Sequence, residues 1–190
     1  MPTHPPARTR ASLAVEQLDA RDVPTTFGAF QGLDVAVGNL IQTTATDFGE
    51  FAEDEIVYGS GPGRLATVRI FNQQGALLNT LYPFPGFTGG VYVALGDVDG
   101  EVGPSGERLP ELIVSTGAGT TGRVKVYKFA GGGKQLLANF TPFGPFYTGG
   151  VQLAAGNVTG GLGAPPDAAE IIVGQQAGGS TVKVFGYDPN

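Results

Sequence analysis

The chain has 190 residues, 41% of them apolar, and its 17 acidic against 11 basic residues give a formal net charge of −6. An acidic surface repels phosphate backbones, so this charge argues against a nucleic-acid partner. Cysteine is absent, which excludes disulfide bonds and thiolate metal sites, and no apolar run approaches the roughly 20 residues that a membrane-spanning helix needs.

Residues 1–24 predict a leader or disordered tail. The segment is basic at its start and then mildly amphipathic, and it lacks the apolar core of roughly 7–15 residues that a secretory signal peptide needs. His4, the only histidine of the chain, lies beside proline in this tail. We expect it to be solvated rather than to act as a ligand or base.

Residues 25–190 contain three copies of one pattern, with a period of roughly 58 residues. A glycine-led apolar run opens the copies at Gly32, Gly90 and Gly150. An acid followed by aliphatic residues comes next, at Glu55, Glu111 and Glu170. A run of alternating character follows, at Val68, Val124 and Val182. Self-similarity at a fixed period predicts repeated supersecondary units.

Each segment of the pattern predicts a β-strand. Residues 91–95 and 112–114 are continuous apolar runs, which are typical of strands buried on both faces. The runs at Val124 and Val182 alternate, which predicts that their valines point inward and their lysines outward. The fourth segment, residues 135–141, is more polar and ends before a proline, as an edge strand does.

These segments predict an all-β fold of three four-stranded antiparallel units arranged as β-propeller blades, because buried strands come first and wet strands last in each unit. The predicted blades cover residues 31–86, 89–147 and 149–190. Glycine pairs at the joints, such as Gly149-Gly150, permit the sharp backbone that a crossing between blades needs. The last blade ends before a fourth strand and is therefore incomplete.

Residues 87–100, FTGGVYVALGDVDG, together with Glu111-Leu-Ile-Val and Val124-Lys-Val-Tyr, resemble the FG-GAP/VCBS repeat. The resemblance extends over about residues 27–187 and implies a β-propeller from a family whose members are commonly extracellular or surface proteins. Residues 15–24, VEQLDARDVP, also look like a stretch near the start of many exported planctomycete proteins. The resemblances imply a secreted or cell-envelope protein.

The same resemblance implies calcium in inter-strand loops, since calcium takes roughly six to eight oxygen ligands. Only the second copy keeps this character, with Asp97, Asp99 and Glu101 at alternate positions. These three are the predicted metal ligands, and calcium is the one cofactor predicted. The alternative is that Asp97 and Asp99 cap a tight turn by accepting hydrogen bonds from backbone amides.

Three further groups of residues have both a functional and a structural interpretation. Acids at Glu50, Glu53, Asp54 and Glu55 could serve general acid–base chemistry. The preferred interpretation is a solvated loop before the second strand, with Glu55 at the repeat position shared by Glu111 and Glu170. Glycine-rich stretches 59–63 and 117–119 predict hairpin turns rather than phosphate loops, since neither opens a helix.

Aromatic residues are predicted to pack between blades rather than to form a ligand belt. They are Tyr82, Phe84, Phe87, Phe140, Phe143, Phe146 and Tyr147.

Three blades leave two open faces, whereas propellers typically close with about four to eight. Residues 25–30 resemble the end of a unit, and we expect residues 23–30 to supply the missing outer strand, or its end, to a third unit. A homo-oligomer, with a head-to-tail dimer of six blades favoured, is the predicted assembly. A fragment of a longer propeller and a monomeric curved stack of sheets are the alternatives.

The sequence predicts a non-catalytic binding or scaffold module with a protein or glycan ligand on its inter-strand loops. One alternative is a purely structural, self-assembling repeat protein. Another is a hydrolase or lyase that uses carboxylates at the inner-strand ends. Only Asp34, Asp97 and Asp99 are available there, and they are too few and too scattered for convergent chemistry.

Overall fold

The computed structural model describes residues 34–41, 54–102, 106, 108–130, 132–158 and 168–188. Within these ranges the chain forms eleven β-strands, and none of its described residues belongs to a helix long and apolar enough to cross a membrane. The predicted all-β class is confirmed. The strands are β1 Asp34–Gly38, β2 Glu55–Gly59, β3 Val68–Phe71, β4 Leu77–Leu81, β5 Val91–Gly96, β6 Glu111–Thr116, β7 Val124–Ala130, β8 Gly133–Phe140, β9 Val151–Gly156, β10 Glu170–Gln175 and β11 Val182–Phe185.

The strands form three antiparallel sheets in which neighbours in sequence are also neighbours in space. The first sheet has the order β1-β2-β3-β4, the second β5-β6-β7-β8 and the third β9-β10-β11. Antiparallel neighbours need only short connections, and the glycine-rich stretches 59–63 and 117–119 fall at the β2–β3 and β6–β7 hairpins as predicted. The third sheet has three described strands.

Several predictions fall on residues that the structure does not describe. These are the leader at residues 1–24 with its planctomycete-like stretch, the solvated His4, the segment 23–30 proposed to complete a unit, and the acids Glu50 and Glu53.

Burial decreases from the second strand of a sheet to the fourth. β6 is buried along its whole length, and Val124 and Val126 of β7 are fully buried while the lysines of that strand are partly exposed. β8 is mostly exposed, which confirms the predicted polar fourth strand. β8 begins before residue 135, because its pairing with β7 continues to Ala130 and Gly133 at the hairpin.

The burial predicted for the valines of β11 is wrong, whereas Lys183 is exposed as predicted. Val182 and Val184 were expected to point inward, yet they are 65% and 40% exposed. Their partners across the ladder are Gly174 and Ile172 of β10, so all four residues lie on one face of the third sheet. No other described sheet covers that face, and the valines therefore remain in solvent.

The three sheets pack face to face, with β5 lying between β1 and β9. The first and second sheets bury an aliphatic cluster that includes Val57, Ile70 and Val114. The second and third sheets bury another, which includes Ile113 and Val173. Apolar burial contributes roughly 25 cal/mol per Å², so these two clusters are the main source of stability.

Backbone hydrogen bonds tie each hairpin loop to the segment that enters the next sheet. Gly63 donates its amide to the Thr88 carbonyl at 2.8 Å, and Gly119 donates to the Thr148 carbonyl at 3.0 Å. The third sheet begins directly after Gly150. The φ of Gly150 is 85°, in the left-handed region that favours glycine. This observation agrees with the role predicted for the glycine pairs.

Candidate functional site

Three buried glutamates hold the loops that leave the first strands. Glu55, Glu111 and Glu170 each begin the second strand of a sheet, and none is more than 5% exposed. Glu55 accepts amide hydrogen bonds from Leu40 at 2.6 Å and Ile41 at 3.1 Å. Glu111 accepts one from Val98 at 2.9 Å, and Glu170 accepts one from Val158 at 2.8 Å.

The prediction that Glu55 holds the repeat position shared with Glu111 and Glu170 is confirmed, because each of the three begins the second strand of its sheet. Asp54 beside it is exposed, but the Glu55 side chain turns into the protein because two backbone amides need an acceptor there. Burial raises the pKa of Glu55, while the hydrogen bonds from Leu40 and Ile41 act in the opposite direction. The Glu55 carboxylate thus holds the backbone that follows β1.

Glu111, at the start of β6, has the most strongly shifted pKa among the groups around the β5–β6 loop. Burial and, next, the negative charge of Asp99 raise its pKa to about 7. The amides of Val98 and Asp99 and the ammonium of Lys128 oppose this shift. Because the carboxyl is deeply buried, its ionisation state near neutral pH affects the stability of the folded chain.

The β5–β6 loop has the hydrogen bonds of a tight acidic turn. Asp97 accepts the Gly100 amide at 2.8 Å, and Asp99 accepts the Glu101 amide at 2.9 Å. Aspartate side chains commonly close turns in this way, by accepting from the backbone two or three residues ahead. The two aspartates therefore have the contacts of the turn-capping alternative.

Two cations from outside the turn also bind it. Lys128 of β7 places its ammonium 2.5 Å from Asp99 and 2.6 Å from Glu101, and Arg108 pairs with Asp97 at 3.0 Å. Burial lowers the Lys128 pKa, but the hydrogen bonds to Asp99 and Glu101 and the negative charges of these two acids together outweigh it and raise the pKa overall. Two cations of the same chain thus offset part of the negative charge of the three loop carboxylates.

Calcium does not fit this loop as it stands. Asp97, Asp99 and Glu111 bring one carboxylate oxygen each within 4.8 Å of one another, whereas the predicted third ligand, Glu101, faces Lys128 instead. Calcium takes roughly six to eight oxygen ligands. An ion here would have to displace the ammonium of Lys128, which already supplies the positive charge.

A polar cleft lies at the opposite end of the first strands. It has a volume of about 170 Å³, and its polar side chains are Asp34, Ser60, Tyr92 and Gln176. Asp34 begins β1, Tyr92 lies at the second position of β5, and Gln176 follows β10. All three sheets therefore contribute to one cleft.

Electrostatic contacts connect the cleft residues. Asp34 accepts the Val93 amide at 2.7 Å, which fixes its carboxylate beside the second sheet. Burial and the Asp34 charge raise the pKa of Tyr92, and a hydrogen bond with Gln176 acts in the opposite direction. The phenol is thus neutral at physiological pH and able to donate a hydrogen bond.

Sequence reasoning considered Asp34 but missed Tyr92 and Gln176. The signal was present in the pattern, because Asp34, Tyr92 and Gln152 hold the same position, two residues after the opening glycine of each copy. Asp34 and Tyr92 of this position line the cleft, whereas Gln152 does not. Gln176 had no such signal.

The aromatic residues mostly pack between sheets, as predicted. Phe84 is buried in the first cluster, and Phe140, Phe143 and Tyr147 pack against the second. Tyr82 and Phe146 differ, since they are 60% and 94% exposed. No ligand belt forms from the set as a whole.

No protein-family model, curated protein or solved structure matches the chain.

Proposed function

We propose that the chain is a non-catalytic binding module of the β-propeller type, with its ligand site at the cleft of Asp34, Tyr92 and Gln176. The observation that carries the proposal is that three side chains from three sheets line one cleft. Strand ends and loops carried on rigid sheets are the usual place for binding residues. The proposal follows the arrangement that the FG-GAP-like pattern implies.

The chemistry of the cleft favours a sugar of a glycan as the ligand. Asp34 offers a carboxylate acceptor, Gln176 an amide that both donates and accepts, and Tyr92 a phenol. Hydroxyl groups of a sugar both donate and accept, so they match this mixed set. A volume of about 170 Å³ has room for a single small ring rather than for an extended molecule.

Binding without turnover is the simplest chemistry for this cleft. Asp34 is the one carboxylate among its described lining residues, whereas hydrolysis of a glycosidic bond uses two carboxyl groups about 5–10 Å apart. Asp97 and Asp99 follow the far end of β5 and are paired with Arg108 and Lys128. The described residues of the cleft therefore do not supply the pair of carboxyl groups that a carboxylate-dependent hydrolase uses.

An array of immobilised oligosaccharides tests the proposal with the wild type, Asp34→Asn and Tyr92→Phe. An asparagine still accepts from the Val93 amide, and a phenylalanine keeps the ring. We expect the wild type to bind a subset of glycans and each variant to bind about tenfold more weakly, since one lost polar contact costs about 1–3 kcal/mol. Phe146→Ala, outside the cleft, should bind normally. A wild type that binds no glycan contradicts the proposal.

The resemblance also supports a secreted or cell-envelope location, which fractionation of the native cells would test. A purely structural, self-assembling protein is the second candidate function. The exposed apolar residues Val35, Val37, Val182 and Val184 on the outermost sheets favour it, because exposed apolar patches mark interaction surfaces. Such a protein would form an assembly and give no signal on the array.

A further inference from the structure

One row of small and aliphatic side chains occupies the same position in each sheet. It crosses the first three strands of the first and second sheets and all described strands of the third. The rows are Ala36–Val57–Ile70, Ala94–Ile113–Val126 and Ala154–Ile172–Val184. The first row packs into the cluster shared with the second sheet, and the second row packs into the cluster shared with the third.

The third row has no such cover within the described part of the chain. Ile70 and Val126 are fully buried, whereas the equivalent Val184 is 40% exposed. Val182, beside it, is 65% exposed although its counterparts in the other two sheets are fully buried. We name this surface, made of Ala154, Ile172, Val182 and Val184, the third outer face.

A second row lies on the opposite face of each sheet, and here it is the first sheet whose row is left exposed. It is Val37–Ile56–Phe71, Leu95–Leu112–Tyr127 and Ala155–Ile171–Phe185. In the second and third sheets this row docks onto the sheet before it. In the first sheet Val37 is 60% and Val35 is 54% exposed. We name this surface, made of Val35, Val37 and Ile56, the first outer face.

Glycine contacts define how the two rows meet inside the chain. A Cβ placed on Gly38 would lie 3.1 Å from the Leu95 side chain, and one on Gly96 would lie 2.6 Å from Ala155. Each glycine ends the first strand of its sheet and leaves space for a side chain of the following sheet. At the equivalent Gly156, no atom of the described residues lies within 4 Å of such a Cβ. The space beside Gly156 is therefore unfilled by the described residues. The residue of the first sheet that is equivalent to Leu95 and Ala155 is Val37.

We propose that the third outer face of one copy docks against the first outer face of a second copy, head to tail, and that two copies close into a ring of six sheets. The two faces are the halves of an interface that the chain already forms twice internally. A heterologous contact forms a ring when its rotation closes, and six blades lie within the usual range of about four to eight. The inference rests on the blade arrangement of the proposed function but not on its ligand.

Native mass spectrometry and light scattering of the full chain test the proposal. We expect the wild type to have twice the 19.5 kDa mass of one chain. Val184→Asp and Val37→Asp each place a charge on one outer face, and each should give a monomer. Both positions are exposed within the chain, so circular dichroism and thermal melting should show a folded protein. In a mixture, the unaltered first outer face of Val184→Asp can meet the unaltered third outer face of Val37→Asp. The mixture should therefore recover two-copy particles.

The other outcomes overturn the proposal. A monomeric wild type does so, whether its faces remain open or are covered by another segment of the chain or a different partner. A dimer that survives Val37→Asp shows contact between two third outer faces instead. A dimer that survives Val184→Asp shows contact between two first outer faces. An open polymer of the wild type excludes closure by two copies.

Discussion

Lys125 of β7 donates a hydrogen bond of 2.7 Å to the carbonyl oxygen of Pro83, two residues after the end of β4. Its ammonium lies 5.4 Å from the centre of the Phe84 ring. Lys183 of β11 makes the same kind of hydrogen bond, at 2.8 Å, to the Pro142 carbonyl after β8. A lysine on the third strand therefore clamps a sheet to the one before it.

Replacement of the clamp should weaken the packing of neighbouring sheets. Lys125→Met keeps an apolar stem over Phe84 but leaves the buried Pro83 carbonyl without its donor, and an unsatisfied buried acceptor costs about 1–3 kcal/mol. Denaturant unfolding should show a loss of that size. Arg123→Met removes an exposed cation from the same hairpin and should change stability by less than about 0.5 kcal/mol. Equal effects of the two changes would exclude the clamp.

The buried Glu111 predicts a specific dependence of stability on pH. Its pKa of about 7 in the folded chain lies above the ordinary value of 4.5, so the folded state holds this proton more tightly than the unfolded state. The contribution is fully present below pH 4.5 and is lost as the pH rises towards 7. One pKa unit corresponds to about 1.4 kcal/mol, so ionisation should cost about 3 kcal/mol above pH 7.

Glu111→Gln tests this dependence, because a neutral amide oxygen can still accept from the Val98 amide. The variant should match the wild type near pH 5 and exceed its free energy of unfolding by up to about 3 kcal/mol near pH 8. Parallel pH profiles of the two proteins would show that Glu111 ionises normally.

Local patterns predicted the parts of the fold that depend on neighbours in sequence. The alternation of Val124 and Lys125 appears in the structure because both faces of β7 meet the environments that the pattern indicates. The identical alternation at Val182 failed, because burial depends on whether another sheet lies on that face. The strand pattern carries no information about that sheet.

Paired glycine substitutions should separate the internal interface from the outer one. A Cβ on Gly96 would lie 2.6 Å from Ala155, whereas one on Gly156 meets no atom within 4 Å in the part of the chain that the structure describes. Gly96→Ala should therefore destabilise the chain by about 1–3 kcal/mol, the usual cost of overpacking. Gly156→Ala should leave the unfolding of the isolated chain unchanged or slightly improved. Similar losses of stability in both variants would show that Gly156 is packed as tightly as Gly96.

Calcium should have little effect on the wild type and more on a variant without the neutralising lysine. Lys128→Gln leaves Asp99 and Glu101 without their ammonium partner, so millimolar calcium should raise its melting temperature relative to chelator by mass action. Lys134→Gln, an exposed lysine of β8, should behave as the wild type does. A clear calcium shift in the wild type would instead support an ion at Asp97, Asp99 and Glu101.

The candidate sites were only partly predictable, because their members come from distant parts of the chain. Asp97 and Asp99 stood out as neighbouring acids, but Glu111 follows an insertion and Lys128 belongs to the hairpin beyond it. Their approach depends on how β6 and β7 pair. Gln176 meets Tyr92 only because the third sheet packs on the second. Strand patterns do not specify such contacts.

Disulfide capture tests the head-to-tail assembly most directly, because the chain has no cysteine of its own. A Cβ on Gly38 lies 3.9 Å from the Leu95 Cβ, within the range of about 3.5–4.5 Å for a disulfide. The double variant Gly38→Cys, Leu95→Cys should therefore form a bond within one chain, which provides the control. Gly156→Cys with Val37→Cys is the equivalent pair between copies.

The second double variant should run at twice the chain mass on a non-reducing gel and at the single-chain mass after reduction. Each single substitution alone should remain uncrosslinked, because a cysteine on one face then meets none on the other. A double variant that keeps free thiols and the mass of one chain, under conditions in which the control pair forms its bond, would contradict the head-to-tail assembly.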